Sequence, residues 1–176
     1  MSDFAHMGEG DVVRKILDKL RHCGVIERLA PGIFYKPHVS AFGVVPIPLD
    51  TVAKAIAKRD HVSIMPTGDM ALNMLGLSTQ VPMNAVYLTS GSARTLKLGN
   101  RSIRFMRGVP KNFAGKGTLM PLIIQALKTL GKENINDETI SALGNILSRN
   151  NDVYLSEDLS LAPQWIQKLI KPMIKE

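Results

Sequence analysis

The sequence contains a single cysteine and no long apolar run. Cys23 has no second cysteine to form a disulfide with inside this chain, and a lone thiol without a metal-spaced partner is more often a small core residue. No apolar stretch of about 18 residues is present, and the N-terminus lacks a charged region followed by a long apolar one, so neither a membrane span nor a secretory signal is supported. We therefore expect a cytoplasmic protein without membrane contacts or redox chemistry.

Acidic residues are missing from a long central part of the chain. None lies between Asp69 and Glu133, and the net charge of +7 arises in residues 48–117, because both ends of the chain are nearly neutral. Most of the cations in the acid-free part lie close together: Arg94, Lys97, Arg101, Arg104, Arg107, Lys111 and Lys116. These charges repel one another unless an anion is near, so they indicate a surface for a phosphate backbone or an acidic protein. An ordinary solvated face is the alternative.

Patterns typical of catalysis are incomplete. "GKGT", residues 115–118, precedes a predicted helix as a phosphate-binding loop does, but Pro110 and Gly117 stand where that loop requires a glycine and a Ser or Thr. "TSGSA", residues 89–93, lacks the second glycine of a nucleophile elbow. The 4 histidines never fall at the i, i+3 or i, i+4 spacing of a helical metal site. We expect no catalytic residue, metal or cofactor, with nucleotide binding through Lys116 as an alternative.

The start of the chain predicts a helical turn, an amphipathic helix and a hairpin. Apolar residues recur at helical spacing over residues 12–20, with Asp11 as the predicted N-cap and Gly24 as the residue that ends the helix. Strands are predicted for residues 25–29 and 33–35, on either side of a Pro-Gly turn. This is the order of elements in the later part of a winged helix-turn-helix.

The remaining sequence predicts a linker and then a mixed α/β domain. The segment "KPHVSAFGVVPIPLD", residues 36–50, contains three prolines and few charges, which is typical of a connector, and we place the linker at 38–48. After it we predict strands at 61–66 and 84–90, a hairpin at 94–107, and helices at 49–59, from 67, at 119–130, at 137–148 and at 163–174. Thr118 is the predicted cap of the helix at 119–130. The fold class is therefore α+β, with a partial winged helix at 1–37, a linker at 38–48 and a second domain at 49–176.

The predicted hairpin at 94–107 carries most of the acid-free cations. Gly99-Asn100 supplies its turn, and apolar residues alternate with polar ones along both strands: Leu96, Leu98, Ile103 and Phe105. If these apolar side chains face a core, Lys97 and Arg104 must project from the opposite face.

Several segments resemble one known family. These include "RLAPGIFYKP", "LGLSTQVP" followed by "VYLTSG", "PKNFAGKG" and "LIIQALKTLGK". The chain resembles the AbiEi-type antitoxins with a DUF6088 domain, found in bacterial abortive-infection toxin-antitoxin loci, from about Ser2 to the C-terminal "LAPQWIQKLIK". The resemblance implies an N-terminal winged helix-turn-helix that represses its own promoter. It also implies a C-terminal domain that opposes a nucleotidyltransferase-like toxin, whether or not the two proteins bind directly.

A winged helix-turn-helix assigns DNA contacts to particular residues. The helix beginning at Asp11 would enter a major groove, with contacts from Arg14, Lys15 and Lys19, while Arg28 and Lys36 on the hairpin would touch the backbone. An ordinary exposed helix face is the alternative for the three helix residues. Palindromic operators are bound by dimers, so a homo-oligomer is a further partner to test.

The sequence departs from the family at its start. Family members have a further helix before the segment that matches residues 2–11, and this sequence begins almost on that segment. A winged helix without its first helix lacks one wall of its core, so we expect exposed apolar side chains among Phe4, Val13, Ile16 and Leu17. The second hypothesis for function is a protein- or RNA-binding module that uses the basic hairpin of residues 94–107, with the N-terminal segment as a scaffold.

Overall fold

The structure is a computed structural model, and it describes residue 4 and residues 6–174. The predicted α+β class is confirmed, because helices and small sheets are mixed along the chain. The chain divides into two units, residues 1–61 and 62–176. Within the described residues, every helix is too short or too polar to cross a lipid bilayer.

Helix α1 (Gly10–His22) has one buried face. The residue before Gly10 occupies the N-cap position, so Asp11 lies in the first turn and the predicted cap at Asp11 is wrong. Gly24 has a φ of 70°, which confirms it as the residue that ends the helix in a left-handed conformation. Val13 and Leu17 are buried because they lie one turn apart on the face that turns inward.

The apolar exposure expected on α1 is found at one of the three residues named for this helix. Ile16 is 53% exposed, as predicted, and Val12 beside it is 49% exposed. Val13 and Leu17 are buried, so the expectation is wrong for those two, and Phe4 is half-buried. Leu17 also lines a groove together with Phe34 of the following hairpin.

Two hairpins follow α1. Strands β1 (Glu27–Ala30) and β2 (Ile33–Tyr35) pair antiparallel, as predicted. Strands β3 (His38–Ser40) and β4 (Gly43–Val45) form a second hairpin inside residues 38–48, where a linker was predicted. Prolines 37, 46 and 48 lie outside both of these strands, so they remove no hydrogen bond from the pairing.

Helix α2 (Leu49–Asp60) lies in the first unit, so the division falls later than the predicted domain start at residue 49. At its end the Arg59 guanidinium donates a hydrogen bond to the Pro31 carbonyl in the β1–β2 turn. Arg59 Nε also lies 2.7 Å from Asp60 Oδ1, and this hydrogen bond raises the pKa of Arg59. The hydrogen bond from Arg59 to Pro31 connects the C-terminal end of α2 to the first hairpin.

The second unit contains a four-stranded sheet, with strand order β5-β6-β8-β7. Its strands are β5 (Ile64–Thr67), β6 (Asn84–Thr89), β7 (Arg94–Leu98) and β8 (Arg101–Arg107). Strands β6 and β8 are parallel, and the other neighbours are antiparallel. Helix α3 (Asp69–Met74) follows β5, and Gly99, with a φ of 61°, begins the predicted β7–β8 turn.

Helices make up the rest of the second unit. They are α4 (Leu119–Leu130), α5 (Asp137–Ser148), α6 (Leu155–Leu159) and α7 (Gln164–Ile170), with short 3-10 turns at 110–113, 132–134 and 171–173. The bounds of α4 and α5 confirm the prediction, whereas α6 was not predicted. Met120, Ile123 and Leu127 of α4 are fully buried in one apolar cluster with residues of α5, α6 and α7. Trp165, half-buried at the start of α7, packs against this cluster.

Candidate functional site

The pairing of β7 with β8 divides the cations of the basic hairpin between the two faces of the sheet. Leu96 is opposite Ile103, which is fully buried, so this pair marks the inner face. Lys97 is opposite Ser102 and therefore lies on the other face, together with Arg104 two residues farther along β8. Both cations are exposed, which confirms the prediction that they project away from the apolar residues.

Three other arginines of the hairpin lie on the inner face. Arg94 is opposite the buried Phe105, and its guanidinium carbon is 5.5 Å from the centre of that ring, which is a cation–π geometry. Arg101 and Arg107 lie on the same face of β8 as Phe105, since they are an even number of residues away. The predicted basic cluster is therefore two separate groups rather than one surface.

The outer face of the hairpin presents a small unpaired basic surface. Lys97 and Arg104 make no ion pair with any residue that the structure describes. Beside them, Ser102 Oγ donates a 2.7 Å hydrogen bond to Asn84 Oδ1 on β6. We call this surface, formed by Lys97, Arg104, Ser102 and Asn84, the outer sheet surface.

The glycine-lysine-glycine loop ahead of α4 is closed by a buried carboxylate. Asp158 on α6 is only 2% exposed, and its oxygens accept the backbone N–H groups of Lys116 at 2.9 Å and Gly117 at 2.8 Å. A phosphate bound in this loop would need those same N–H groups. The Asp158 carboxylate therefore already occupies the anion position of this loop, and these two N–H groups are not free to bind an external phosphate.

A second carboxylate supplies the side-chain hydrogen bond at the start of α4. Thr118 occupies the N-cap position, as predicted, but its side chain makes no cap hydrogen bond. Asp152 instead accepts the Leu119 N–H at 3.4 Å and the Tyr154 N–H at 3.0 Å. A Cβ atom at Gly117 would collide with the Asp152 carboxylate, so any larger residue there would displace that carboxylate from its hydrogen bonds.

Lys116 is engaged by an acid from α6. Its ammonium nitrogen lies 2.5 Å from Glu157 Oε1, and this hydrogen bond, with the charge of Glu157, raises the pKa of Lys116. The charge of Lys116 is thus balanced by Glu157, so it adds little to the basic group in which the sequence analysis placed it. Lys111 is exposed on the 110–113 turn and forms no ion pair with a described residue.

Sequence reasoning missed the three acids that organise this loop, Asp152, Glu157 and Asp158. They follow the loop by about 40 residues, as the separation of 42 between Lys116 and Asp158 shows. One signal was available in the sequence. Asp158 is three residues after Leu155 and next to Leu159, which puts a carboxylate on the apolar face of α6 and indicates a buried acid.

The residues predicted to contact DNA all lie in the first unit and are exposed. Lys15 and Lys19 lie one turn apart, opposite the buried face of α1, and neither pairs with a described acid. Arg14 Nη1 is 3.5 Å from Asp11 Oδ1, so part of its charge is balanced locally. Lys15 and Lys19 are therefore the less compensated cations of α1.

A groove separates α1 from the first hairpin. Its volume is about 210 Å³, and Arg14 and Asp18 line it on the helix while Arg28 and Phe34 line it on the hairpin. Lys36 follows β2 directly and is exposed. The structure thus brings Arg14 and Arg28 to one groove and leaves Lys15, Lys19 and Lys36 outside it.

The comparison with family models identifies the chain. The model of DUF6088, described as a family of unknown function, matches residues 1–155. The chain belongs to the DUF6088 family. A search of curated proteins and a search of solved structures found no match.

The DUF6088 match covers both candidate surfaces. It includes α1, the first hairpin, the outer sheet surface and Asp152, and it ends before Glu157 and Asp158. In the described part of this DUF6088 chain, no group of three or more His, Cys, Asp or Glu side chains is arranged to hold a metal ion.

Proposed function

We propose that this DUF6088 protein is an antitoxin-like transcriptional regulator that binds promoter DNA through α1 and the first hairpin. The observation that carries the proposal is the pair of uncompensated lysines, Lys15 and Lys19, on the outward face of α1. A short hairpin with two exposed cations, Arg28 and Lys36, follows this helix directly. The same order of elements and the family resemblance support a winged helix.

In the proposed complex α1 lies in the major groove of the DNA. Lys15 and Lys19 then face the groove and its phosphates, while Arg28 and Lys36 contact the backbone from the wing. Arg14 contributes less, because Asp11 already balances part of its charge. Phosphate contacts of this kind release counterions, so affinity should fall steeply with salt.

The test is the affinity of the full chain for its own upstream DNA, measured by fluorescence anisotropy at several salt concentrations. We expect the double variant Lys15→Ala/Lys19→Ala to bind more weakly and to lose about 2 units of the slope of log affinity against log salt, roughly one per phosphate contact. The matched control is Lys132→Ala/Lys168→Ala, which removes the same charge from exposed positions of the second unit.

Two outcomes would overturn the DNA-binding proposal. The first is no binding of the upstream DNA by the unaltered chain at low salt. The second is an equal loss of affinity in the α1 variant and the control variant, because net charge alone would then explain the binding.

A second role for the second unit is favoured by the outer sheet surface. We propose that this surface opposes a partner toxin that resembles a nucleotidyltransferase, through contact with the toxin or with its nucleic-acid substrate. Lys97 and Arg104 are exposed, lie on one face and lack acidic partners among the described residues. An acidic protein surface or a phosphate backbone would complement that charge.

This role is tested by growth rescue, with the chain and a nucleotidyltransferase-like toxin encoded beside it expressed together. We expect Arg104→Glu to abolish rescue, because it reverses a charge at the proposed surface, and Arg14→Glu to leave rescue intact. The reverse result would refute the role of the sheet and place the antitoxin activity in the first unit.

A further inference from the structure

A small cleft in the second unit lies between α4 and the 110–113 turn. Its volume is about 60 Å³, and Val109, Pro121, Ile124 and Leu161 form apolar parts of its wall. About 10 to 15 Å³ is needed for each water-sized occupant, so the cleft has room for roughly four waters or one phosphate-sized group. Its remaining lining is polar and basic.

Gln125 is the buried polar group of this cleft. The residue is 5% exposed, yet its side-chain amide makes no hydrogen bond to any described residue. Among the described residues no fully buried side-chain nitrogen or oxygen lacks a partner, so the unpaired amide of Gln125 must keep contact with solvent. Gln125 is among the residues that line the cleft, so the cleft is the solvent-filled space within its reach.

An unpaired amide at a buried position has a physical cost. Burying such a group without a hydrogen bond destabilises the fold, and a leucine at this position of α4 would avoid that cost. Most of the other residues of α4 are apolar and buried. Because the amide keeps contact with solvent, its hydrogen bond comes from water in the cleft or from a polar ligand that replaces that water.

Two lysines give the cleft its charge. Lys128 is one turn after Gln125 on the same face of α4, and Lys111 lies across the cleft on the 110–113 turn. Neither forms an ion pair with a described residue. Asn112 fixes the turn, because its side-chain oxygen accepts the Val109 N–H at 2.9 Å. Asp158, whose carboxylate a Cβ atom at the cleft-lining Gly115 would meet at 3.2 Å, already accepts two backbone N–H groups.

We infer that this cleft binds a phosphate group, held by the Gln125 amide and by the ammonium groups of Lys111 and Lys128. Two compact positive charges match the charge of a phosphate dianion, and the amide donates to one of its oxygens. The cleft is too small for a whole nucleotide, so only the phosphate enters it, either as inorganic phosphate or at the end of a nucleoside monophosphate. This site is independent of the DNA-binding and toxin proposals.

The test is a nitrogen-15 NMR titration of the full chain, which follows the side-chain amide signals of Gln125. Loss of those signals in Gln125→Leu assigns them, and thermal unfolding shows whether that variant stays folded. We expect the Gln125 signals to shift and saturate with inorganic phosphate or with a nucleoside monophosphate, and not with sodium chloride at the same ionic strength. Tighter binding of the nucleoside monophosphate would identify a nucleotide as the source of the phosphate.

Exposed lysines supply the matched variants. Lys111→Ala and Lys128→Ala should each weaken phosphate binding about tenfold, which is typical for loss of one charge-assisted hydrogen bond, whereas Lys132→Ala should leave it unchanged. The inference is overturned if the Gln125 signals do not move with either phosphate compound. It is also overturned if the Lys132 variant weakens binding as much as the two cleft variants do.

Discussion

At the scale of single residues, the buried Asp158 joins two distant segments of the second unit. Its carboxylate accepts two backbone N–H groups from a loop about 40 residues away, in a position almost free of solvent. A carboxylate in such a place stabilises the fold only while its partners remain, because either side left alone would be buried without a hydrogen bond.

We expect Asp158→Ala to lower the free energy of unfolding by about 2 to 4 kcal/mol, since two backbone N–H groups lose their acceptor. Urea denaturation followed by circular dichroism measures this. Glu157→Gln, an exposed change on the same helix, should alter stability by less than about 0.5 kcal/mol. Similar losses in the two variants would show that the hydrogen bonds of Asp158 are not the cause.

Two glycine-to-alanine substitutions are expected to change the free energy of unfolding in opposite directions. Gly117→Ala should destabilise the chain by about 1 to 3 kcal/mol, because the new Cβ meets the Asp152 carboxylate. Gly144→Ala in the middle of α5 should stabilise it by about 0.5 to 1 kcal/mol, because its Cβ meets nothing within 4 Å and alanine favours a helix. The midpoints of urea unfolding check both, and a gain for Gly117→Ala would contradict the close approach.

At the scale of elements, local patterns predicted most of the structure. Helix α4 ends at a glycine and α5 begins after an asparagine whose side chain accepts the Thr139 N–H at 2.8 Å, so both boundaries are set by nearby residues. The β7–β8 hairpin was equally visible, because Gly99-Asn100 and the alternating apolar residues act locally. Such elements need no distant partner to be predicted.

Elements without a strong local signal were missed. The β3–β4 hairpin is short and largely exposed, and the prolines around it pointed to a linker. Helix α6 has only five residues, too few for a helical repeat to show. The alternation of side chains along a strand divides the hairpin cations between two faces, and that division is visible in the sequence. The hydrogen bonds from the loop ahead of α4 to Asp158 join distant segments, so no local pattern predicts them.

The orientation of α1 gives a prediction for this helix as a whole. Leu17→Ala should lower the free energy of unfolding by about 2 to 4 kcal/mol, because Leu17 is buried, whereas Ile16→Ala should change it by less than about 1 kcal/mol. Chemical unfolding of the two single variants tests this. Equal losses would mean that the stripe formed by Val12 and Ile16 is covered in solution.

At the scale of the whole molecule, charge is concentrated rather than spread. The net charge of +7 comes from a middle segment of the sequence, and the structure then sorts its cations among an inner sheet face, an outer sheet surface and the neighbourhood of α4. The affinity for a polyanion should therefore depend on which cations are removed and not only on the total charge.

Retention on heparin tests this distribution. Lys97→Gln/Arg104→Gln should elute at lower salt than Lys132→Gln/Lys168→Gln, although both double variants lose the same formal charge, because Lys97 and Arg104 share one face. Elution of the two variants at the same salt concentration would indicate that the outer sheet surface is an ordinary solvated face.

Trp165 has a practical consequence for such measurements. It is the single tryptophan of the chain, and it packs against the apolar cluster of α4 to α7. Tryptophan emission is therefore a built-in reporter of the second unit, whereas α1 and its hairpins contain no tryptophan of their own. A tyrosine-to-tryptophan exchange at Tyr35 on β2 would give the first unit an optical signal of its own, so that the two units can be followed separately.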